Sequence, residues 1–237
     1  MYQPKLPIQP LVMTDKNLLM QRLSDCIGNG YPLWISGGVS ENKVESLVRR
    51  FDLNYQILAD RNERARRKRA ELGNARLLLW HDEKAGRVAW WMFVSPPELG
   101  SHGAHALEKL HDMRKRERVE FHGFELVRLP KKGQEGERLT WRMTEHKYGA
   151  WRDSIIEMVR SGNIRELHRM LYGLFASPGF GGARSQIGKL VKLYRAEVKR
   201  RGLKEAPTPP RQLRYLRRLR DKGIPLAQWT CQHGRSA

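Results

Sequence analysis

Cysteines and long hydrophobic runs are scarce in this chain of 237 residues. The only two cysteines, Cys26 and Cys231, lie at opposite ends, so the sequence indicates no disulfide framework and favours a reducing cytoplasm. No apolar stretch approaches the roughly 18 residues that a membrane-spanning helix needs. The N-terminus lacks the charged and apolar regions of a signal peptide. We therefore expect a cytoplasmic protein with no membrane partner.

Acidic residues are also few, and this imbalance is the most informative feature of the composition. The chain has 25 Asp and Glu against 45 Lys and Arg, a formal net charge of +20. Residues 160–237 hold 18 Lys and Arg and four Asp and Glu, a net +14, and residues 61–69 are a second basic focus. Charge of one sign at this density attracts polyanions, and contact with phosphates releases condensed counterions. Nucleic acid is therefore the expected partner, with DNA favoured and RNA as the alternative.

The hydrophobic pattern predicts an α+β fold in two parts. Residues 1–143 are predicted to form an α+β domain with an antiparallel sheet built from two β-hairpins, at 75–94 and 118–143. The expected helices of this part are 14–28, one beginning after Ser40, 60–73 and 105–116, with a buried strand at 31–36 and an extended, proline-rich stretch over the first ten residues. Residues 144–237 are predicted to form a basic, all-helical nucleic-acid-binding region.

A helix predicted at 184–201 is the strongest candidate for contact with nucleic acid. Its core-facing stripe follows helical spacing and consists of Ile187, Leu190, Val191, Tyr194 and Val198. A neighbouring face carries the cations expected to contact phosphates, namely Lys189, Lys192, Arg195 and Lys199. Arg184 and Gln186 stand at the N-terminal end, where a recognition helix reaches base edges, and they suit guanine and adenine. These two residues are therefore the candidates for base contact.

Two further basic segments are candidates for phosphate contact. A last helix, predicted at 211–222, places three arginines along one stripe: Arg211, Arg214 and Arg218. The helix at 60–73 has few apolar anchors and contributes Arg64, Arg67 and Lys68. A solvated face is the alternative for each segment, but two dense runs of one sign favour a bound counter-charge. An anionic membrane surface fits less well, because these segments lack the apolar face of an interfacial helix.

Motifs that would indicate an enzyme, a metal site or a cofactor are missing. The loop at 178–182 is glycine-rich, but no Gly-Lys-Ser/Thr follows it and no strand precedes it, so nucleotide hydrolysis is not expected. The loop is either a phosphate cradle at a helix N-terminus or an interhelical turn. His102, His105 and His111 have no acidic or cysteine partner, and residues 231–233 offer two ligands where zinc takes four. We expect no cofactor, no metal and no catalytic residue.

An aromatic hairpin supports a rival hypothesis. The hairpin at 75–94 carries Trp80, Trp90 and Trp91, and aromatic side chains on a sheet can stack unpaired bases. The alternative function is therefore an RNA-binding or RNA-processing protein, in which this hairpin stacks bases and a histidine assists cleavage. A third hypothesis is a structural subunit whose basic face binds an acidic protein.

Two stretches, residues 141–146 (WRMTEH) and 177–190 (SPGFGGARSQIGKL), resemble accessory proteins of bacterial plasmids and integrative conjugative elements. The resemblance implies a mobile-element, DNA-handling context and assigns no role to any residue. Together with the charge distribution, it leads to the main hypothesis. The chain is expected to be a non-enzymatic DNA-binding protein that clamps the phosphate backbone with basic C-terminal helices, with protein partners in a nucleoprotein complex.

Overall fold

The computed structural model describes residues 10–131, 133 and 135–233, and the predicted extended N-terminal stretch therefore lies almost wholly outside the described residues. In chain order the elements are β1 (Leu11–Met13), α1 (Lys16–Gly28), β2 (Leu33–Ser40), α2 (Val44–Tyr55), α3 (Arg61–Arg69), β3 (Ala75–Asp82), β4 (Arg87–Val94), α4 (Gly103–Leu107), β5 (His111–Asp112), β6 (Glu120–Phe121), β7 (Phe124–Pro130), β8 (Glu137–Met143), α5 (Glu145–Ser161), α6 (Ile164–Phe175), α7 (Gly181–Arg201), β9 (Ile224–Pro225) and α8 (Leu226–His233). Short 3₁₀ helices occur at Glu41–Lys43, Pro97–Leu99 and Met113–Lys115.

The chain divides into two compact units. The first unit contains the described residues up to Glu117 together with those from Leu219 onward, and the second unit is Arg118–Arg218. The second hairpin therefore belongs to the same unit as α5, α6 and α7, whereas the boundary predicted from sequence lay after residue 143. Within the described residues, no helix is both long enough and apolar enough to cross a bilayer.

A six-stranded mixed sheet organises the first unit, in the order β5-β2-β4-β3-β1-β9. Strands β1 and β3 are parallel, whereas β2 and β3 each pair antiparallel with β4. The hairpin predicted at 75–94 forms the centre of this sheet and is paired from Ala75–Val94 to Asp82–Arg87. Alternation along β4 turns Val88 and Met92 into the core that α2 covers. Trp91 points to the opposite face and is also buried.

Helix starts follow local capping chemistry in both units. The Asp60 carboxylate accepts a hydrogen bond from the N–H of Glu63 at 2.6 Å, and this confirms the predicted start of α3. The Asn163 side chain likewise accepts from the N–H of Glu166 at 3.2 Å at the start of α6. At α1 the cap is Asp15, one residue after residue 14, where this helix was predicted to begin. These helices begin where a short polar side chain satisfies a free backbone N–H.

The second unit combines a three-stranded antiparallel sheet, β6-β7-β8, with three helices. Helix α7 contacts both α5 and β8. The apolar stripe predicted for it is confirmed, since four of its five members are buried and Val198 is half-buried: Ile187, Leu190, Val191 and Tyr194. Burial of this stripe holds α7 in place along its length.

Two of the predicted helices are wrong. No helix is present between residues 202 and 223, where the last basic helix was predicted. The chain after residue 210 is instead hydrogen-bonded to residues distant in sequence, since the Leu213 carbonyl accepts from Arg184 and the Leu216 N–H donates to Gly179. The helix predicted at 105–116 is also interrupted. Asp112 accepts from the N–H of Arg114 at 2.8 Å and starts a 3₁₀ turn instead.

The fold is therefore mixed α/β, and the structure does not show an all-helical second half. The described residues after Leu219 belong to the first unit and include β9 and α8. Strand β9 pairs with β1. Trp229 of α8 is fully buried in the core of that unit.

Candidate nucleic-acid interface

Helix α7 begins at closely packed glycines. The N–H of Gly182 donates to Oγ1 of Thr140 at 3.0 Å, and a Cβ atom on Gly182 would lie 2.6 Å from the Trp141 carbonyl oxygen. A Cβ atom on Gly179 would lie only 2.0 Å from the carbonyl oxygen of Arg214. Close packing against other backbone segments therefore explains these glycines. A bound phosphate is not needed to explain them.

Residues 207–218, called the strap below, are non-helical and run back beside α7 from its C-terminal to its N-terminal end. Three hydrogen bonds fasten the strap within the second unit: Tyr194 Oη donates to the Pro207 carbonyl at 2.7 Å, Arg184 Nε donates to the Leu213 carbonyl at 2.7 Å, and the Leu216 N–H donates to the Gly179 carbonyl at 3.2 Å. The strap is therefore held at both ends and near its middle.

A groove separates the strap from α7. Its larger part has a volume of about 400 Å³ and is lined by four cationic side chains, Arg184, Lys192, Arg195 and Arg211. A smaller part of about 230 Å³ lies towards the C-terminal end of α7, and Lys199 and Arg195 both line it. Arg195 borders both parts.

The charges along this groove are unbalanced. Among the residues that the structure describes, no acidic one lines either part of it. Four of its cations are exposed, and among the described residues none of them has an acidic partner: Lys192, Arg195, Lys199 and Arg211. Residues 181–218 contain 12 Lys and Arg and only two Glu, and one of these, Glu197, pairs with Arg200. A polyanion would supply the missing counter-charge.

Arg184, a predicted base-contacting residue, holds the strap. Besides its bond to Leu213, its guanidinium donates to Gln212 Oε1 at 3.3 Å. Its Cζ atom lies 3.3 Å from the centroid of the Tyr215 ring. Tyr215 is 68% exposed and was not identified from sequence. The available signal was an aromatic residue among the arginines of 211–218.

Gln186, the other predicted base-contacting residue, is bonded at both ends of its amide. Its Nε2 donates to the Met143 carbonyl at 3.0 Å, and its Oε1 accepts from the Met143 N–H at 2.6 Å. This side chain connects α7 to the end of β8, and both its amide nitrogen and its amide oxygen are bonded to backbone.

The remaining predicted residues of this region are all exposed, but they do not share one stripe. Lys189, Arg214 and Arg218 do not line the groove. The strap is not helical, so the stripe predicted for Arg211, Arg214 and Arg218 does not form. Arg211 is the member that the structure brings beside α7.

Helix α3 presents a different set of cations from the predicted one. Arg64 donates to the Ala59 carbonyl, and burial together with the nearby Arg76 guanidinium lowers the pKa of Arg64. Arg67 donates twice to the Gly73 carbonyl, at 2.7 and 3.1 Å. Both side chains thus stabilise the chain around α3. Three cations of this helix are exposed and have no acidic partner among the described residues: Arg61, Lys68 and Arg69.

The aromatic hairpin does not form an open stacking surface. Trp80 and Trp91 are buried. Trp90 is half-buried and packs edge-to-face on Phe51, with 5.0 Å between ring centroids. Two of the rings are therefore interior and the third is partly covered by Phe51, which weakens the structural support for the base-stacking hairpin.

Of the three histidines considered from sequence, His102 and His105 contact backbone, whereas Nδ1 of His111 lies 3.6 Å from a carboxylate oxygen of Glu117. His102 Nδ1 accepts from the Ala104 N–H at 3.2 Å, and burial lowers the pKa of His102. His105 Nε2 lies 2.8 Å from the Ser95 carbonyl oxygen. Within the described residues, no group of three or more His, Cys, Asp or Glu side chains could hold a metal ion.

A second cavity in the second unit, of about 810 Å³, has mixed charge. The buried Glu125 lies between two arginines, 2.5 Å from Arg118 and 2.7 Å from Arg142. Glu120 and Glu145 also line this cavity. Because its cations are already neutralised, it suits a polyanion less well than the groove beside α7.

Comparison of the chain with protein-family models, curated proteins and solved structures finds no match. The candidate interface therefore rests on the geometry and charge of the groove between α7 and the strap.

Proposed function

We propose that this protein binds the phosphate backbone of nucleic acid, DNA in the first place, through the groove between α7 and the strap. The observation that carries the proposal is the row of exposed cations without acidic partners that lines this groove: Lys192, Arg195, Lys199 and Arg211. The mobile-element context is part of the proposal and rests on the sequence resemblance alone.

The spacing of the cations supports contact with several consecutive phosphates. Positions 192, 195 and 199 share one face of α7 because they are three or four residues apart. From 192 to 199 the helix rises about 10 Å, at 1.5 Å per residue. This length corresponds to about three phosphates of one DNA strand, at 3.4 Å each along the axis.

The rigidity of α7 also favours this surface over α3. The buried stripe of α7 fixes its backbone before any ligand binds, so less conformational entropy is lost on binding. Helix α3 has no buried residue. Its exposed cations, Lys68 among them, are therefore proposed to make the weaker contribution.

The RNA-processing alternative has less support, because two of the hairpin tryptophans are interior and the third is partly covered. No arrangement of the described residues points to catalysis, and the proposed protein acts by binding.

The experiment is a titration of the full chain with duplex DNA, single-stranded DNA and structured RNA over a range of salt concentrations. If the four exposed cations of the groove each contact a phosphate, the log–log salt slope on duplex DNA is about −3.6. Affinity then falls about 150-fold between about 50 and 200 mM salt. A flat salt response would refute the proposal.

A pair of double variants tests the location of the site. Lys192→Ala with Arg195→Ala should make the slope less steep by about 1.8, because two phosphate contacts are lost. The matched control is Arg152→Ala with Arg169→Ala, which removes the same charge from α5 and α6. These two arginines already pair with Asp153 and Glu166, so the control should leave the slope nearly unchanged. Equal effects would show that net charge alone matters.

A further inference from the structure

Tyr215 is an exposed aromatic ring with a fixed cation on one face. The Arg184 guanidinium lies over the ring at 3.3 Å from its centroid and is held there by its bonds to Leu213 and Gln212. One face of the ring is therefore covered, yet the residue is 68% exposed. Because Arg184 covers one face, the exposed area of the ring is that of its opposite face or its edge.

The open face has the size and chemistry of a stacking partner for a planar ring. Base–aromatic stacking depends on the π-face that every base has, and so it tolerates different sequences. The backbone of Tyr215 is fixed by its neighbours, because Leu216 bonds to Gly179. A ring that is already positioned loses little entropy when a base covers it.

Further cations lie near Tyr215 in the sequence of the strap. Arg214 precedes Tyr215 and is exposed, and Arg211 lines the groove four residues earlier. A nucleotide whose base lies on the ring would therefore have guanidinium groups within reach of its phosphates.

We propose that Tyr215 stacks an unpaired base of single-stranded DNA, so that the protein prefers single-stranded segments, or duplexes that end in them, to blunt duplex. Bases inside a duplex are already stacked on each other and present no free face to the ring. This inference rests on the proposed function, since the groove supplies the phosphate contacts and Tyr215 adds one contact to a base.

The chain contains a matched control for the ring. Tyr172 of α6 is 81% exposed and belongs to the same unit, but no cation lies over its ring among the described residues. Tyr172→Ala removes a similar exposed aromatic surface without touching the strap.

The test uses the full chain with a single-stranded DNA oligomer that carries the fluorescent base 2-aminopurine, and with a blunt duplex. Stacking of the probe base on Tyr215 should quench its fluorescence. Tyr215→Ala should abolish the quenching and lower single-strand affinity at least about fivefold, which corresponds to about 1 kcal/mol at 1.4 kcal/mol per tenfold. Tyr215→Phe should retain both properties, because it keeps the ring. Tyr172→Ala should change neither.

Several outcomes would overturn the inference. If duplex affinity falls as much as single-strand affinity in Tyr215→Ala, the substitution has released the strap and the ring makes no separate contact with a base. An equal loss from Tyr172→Ala would show that any exposed tyrosine suffices. A matched RNA oligomer that alone loses affinity in Tyr215→Ala would move the assignment from DNA to RNA.

The failure of this inference is distinguishable from the failure of the proposed function. If the Lys192 and Arg195 variants weaken all ligands while Tyr215→Ala changes none, the phosphate contacts stand and the stacking contact is refuted. If the unmodified chain shows no salt-dependent binding to any of the ligands, both are refuted.

Discussion

Replacing Gln186 by alanine is expected to destabilise the second unit without changing any sequence preference on DNA. The amide of Gln186 bonds to both backbone groups of Met143, donating at 3.0 Å and accepting at 2.6 Å. Met143 is 1% exposed, so its N–H and carbonyl depend on this side chain at the end of β8. A base-contacting residue would instead leave stability unchanged when it is removed.

The expected magnitude follows from these two bonds. Each net hydrogen bond contributes about 0.5–1.5 kcal/mol, and a buried group left without a partner costs about 1–3 kcal/mol. The cavity of about 810 Å³ beside Gln186 lets water reach the Met143 backbone groups, which lowers the cost of leaving them without a protein partner. We expect Gln186→Ala to lower the free energy of unfolding by about 2–4 kcal/mol, or the melting temperature by about 4–16 °C.

The assay combines denaturation of the full chain with binding to a preferred and a random duplex. Gln186→Glu is the sharper variant, because its carboxylate accepts from the Met143 N–H but cannot donate to the Met143 carbonyl. It should therefore also destabilise the chain. Ser185→Ala, an exposed position on the same turn, is the control and should melt like the unmodified chain. Unchanged melting of Gln186→Ala, with affinity lost only on the preferred sequence, would refute this reasoning and restore base contact.

Two further predictions concern the first unit. Arg67→Ala should lower the free energy of unfolding by about 1–2 kcal/mol, because Arg67 donates to the Gly73 carbonyl. Arg69→Ala, which removes no such bond, should lower it by less than about 0.5 kcal/mol. Chemical denaturation measures both values, and equal losses would contradict the prediction. Thiol titration of the folded chain should detect Cys231 and not Cys26, because burial raises the pKa of Cys26 from 9.0 to about 12. The stabilisation from the neutral Cys26 thiol is present below about pH 9 and is lost as the pH rises towards 12. Equal labelling rates of the two thiols at about pH 8 would contradict this.

The elements that sequence predicted well are those whose evidence is local. The stripe of α7 repeats over several turns, and the hairpin of β3 and β4 alternates around a short turn. The strap shows the opposite case. Leu213 and Leu216 are three residues apart, a spacing that is typical of an amphipathic helix. In the structure Leu213 is buried in a non-helical segment, and the Leu216 N–H donates to the carbonyl of Gly179, 37 positions earlier. Such long-range pairing cannot be read from a sequence window.

The candidate site was predictable in charge and not in detail. Sequence indicated which segments are basic, and Lys192, Arg195 and Lys199 do lie exposed on one helix face. It did not distinguish a cation that reaches solvent from one that reaches back to a carbonyl. Arg67 is such a case, since its guanidinium is long enough to contact a carbonyl six residues away. That choice depends on tertiary structure, because an arginine donates equally well to phosphate and to backbone oxygen.

Arg184 unites the groove and the stacking surface in one side chain. It donates to Leu213, lies over Tyr215 and borders the same groove as Lys192 and Arg211. A guanidinium has five N–H donors in a fixed plane, so it can hold the strap through its edge while its face covers the ring. A lysine at this position would provide charge without the plane. The position of Arg184 at the start of α7 therefore has a structural reason that does not involve reading bases. In the proposed complex, any selectivity arises from the choice between paired and unpaired bases at Tyr215.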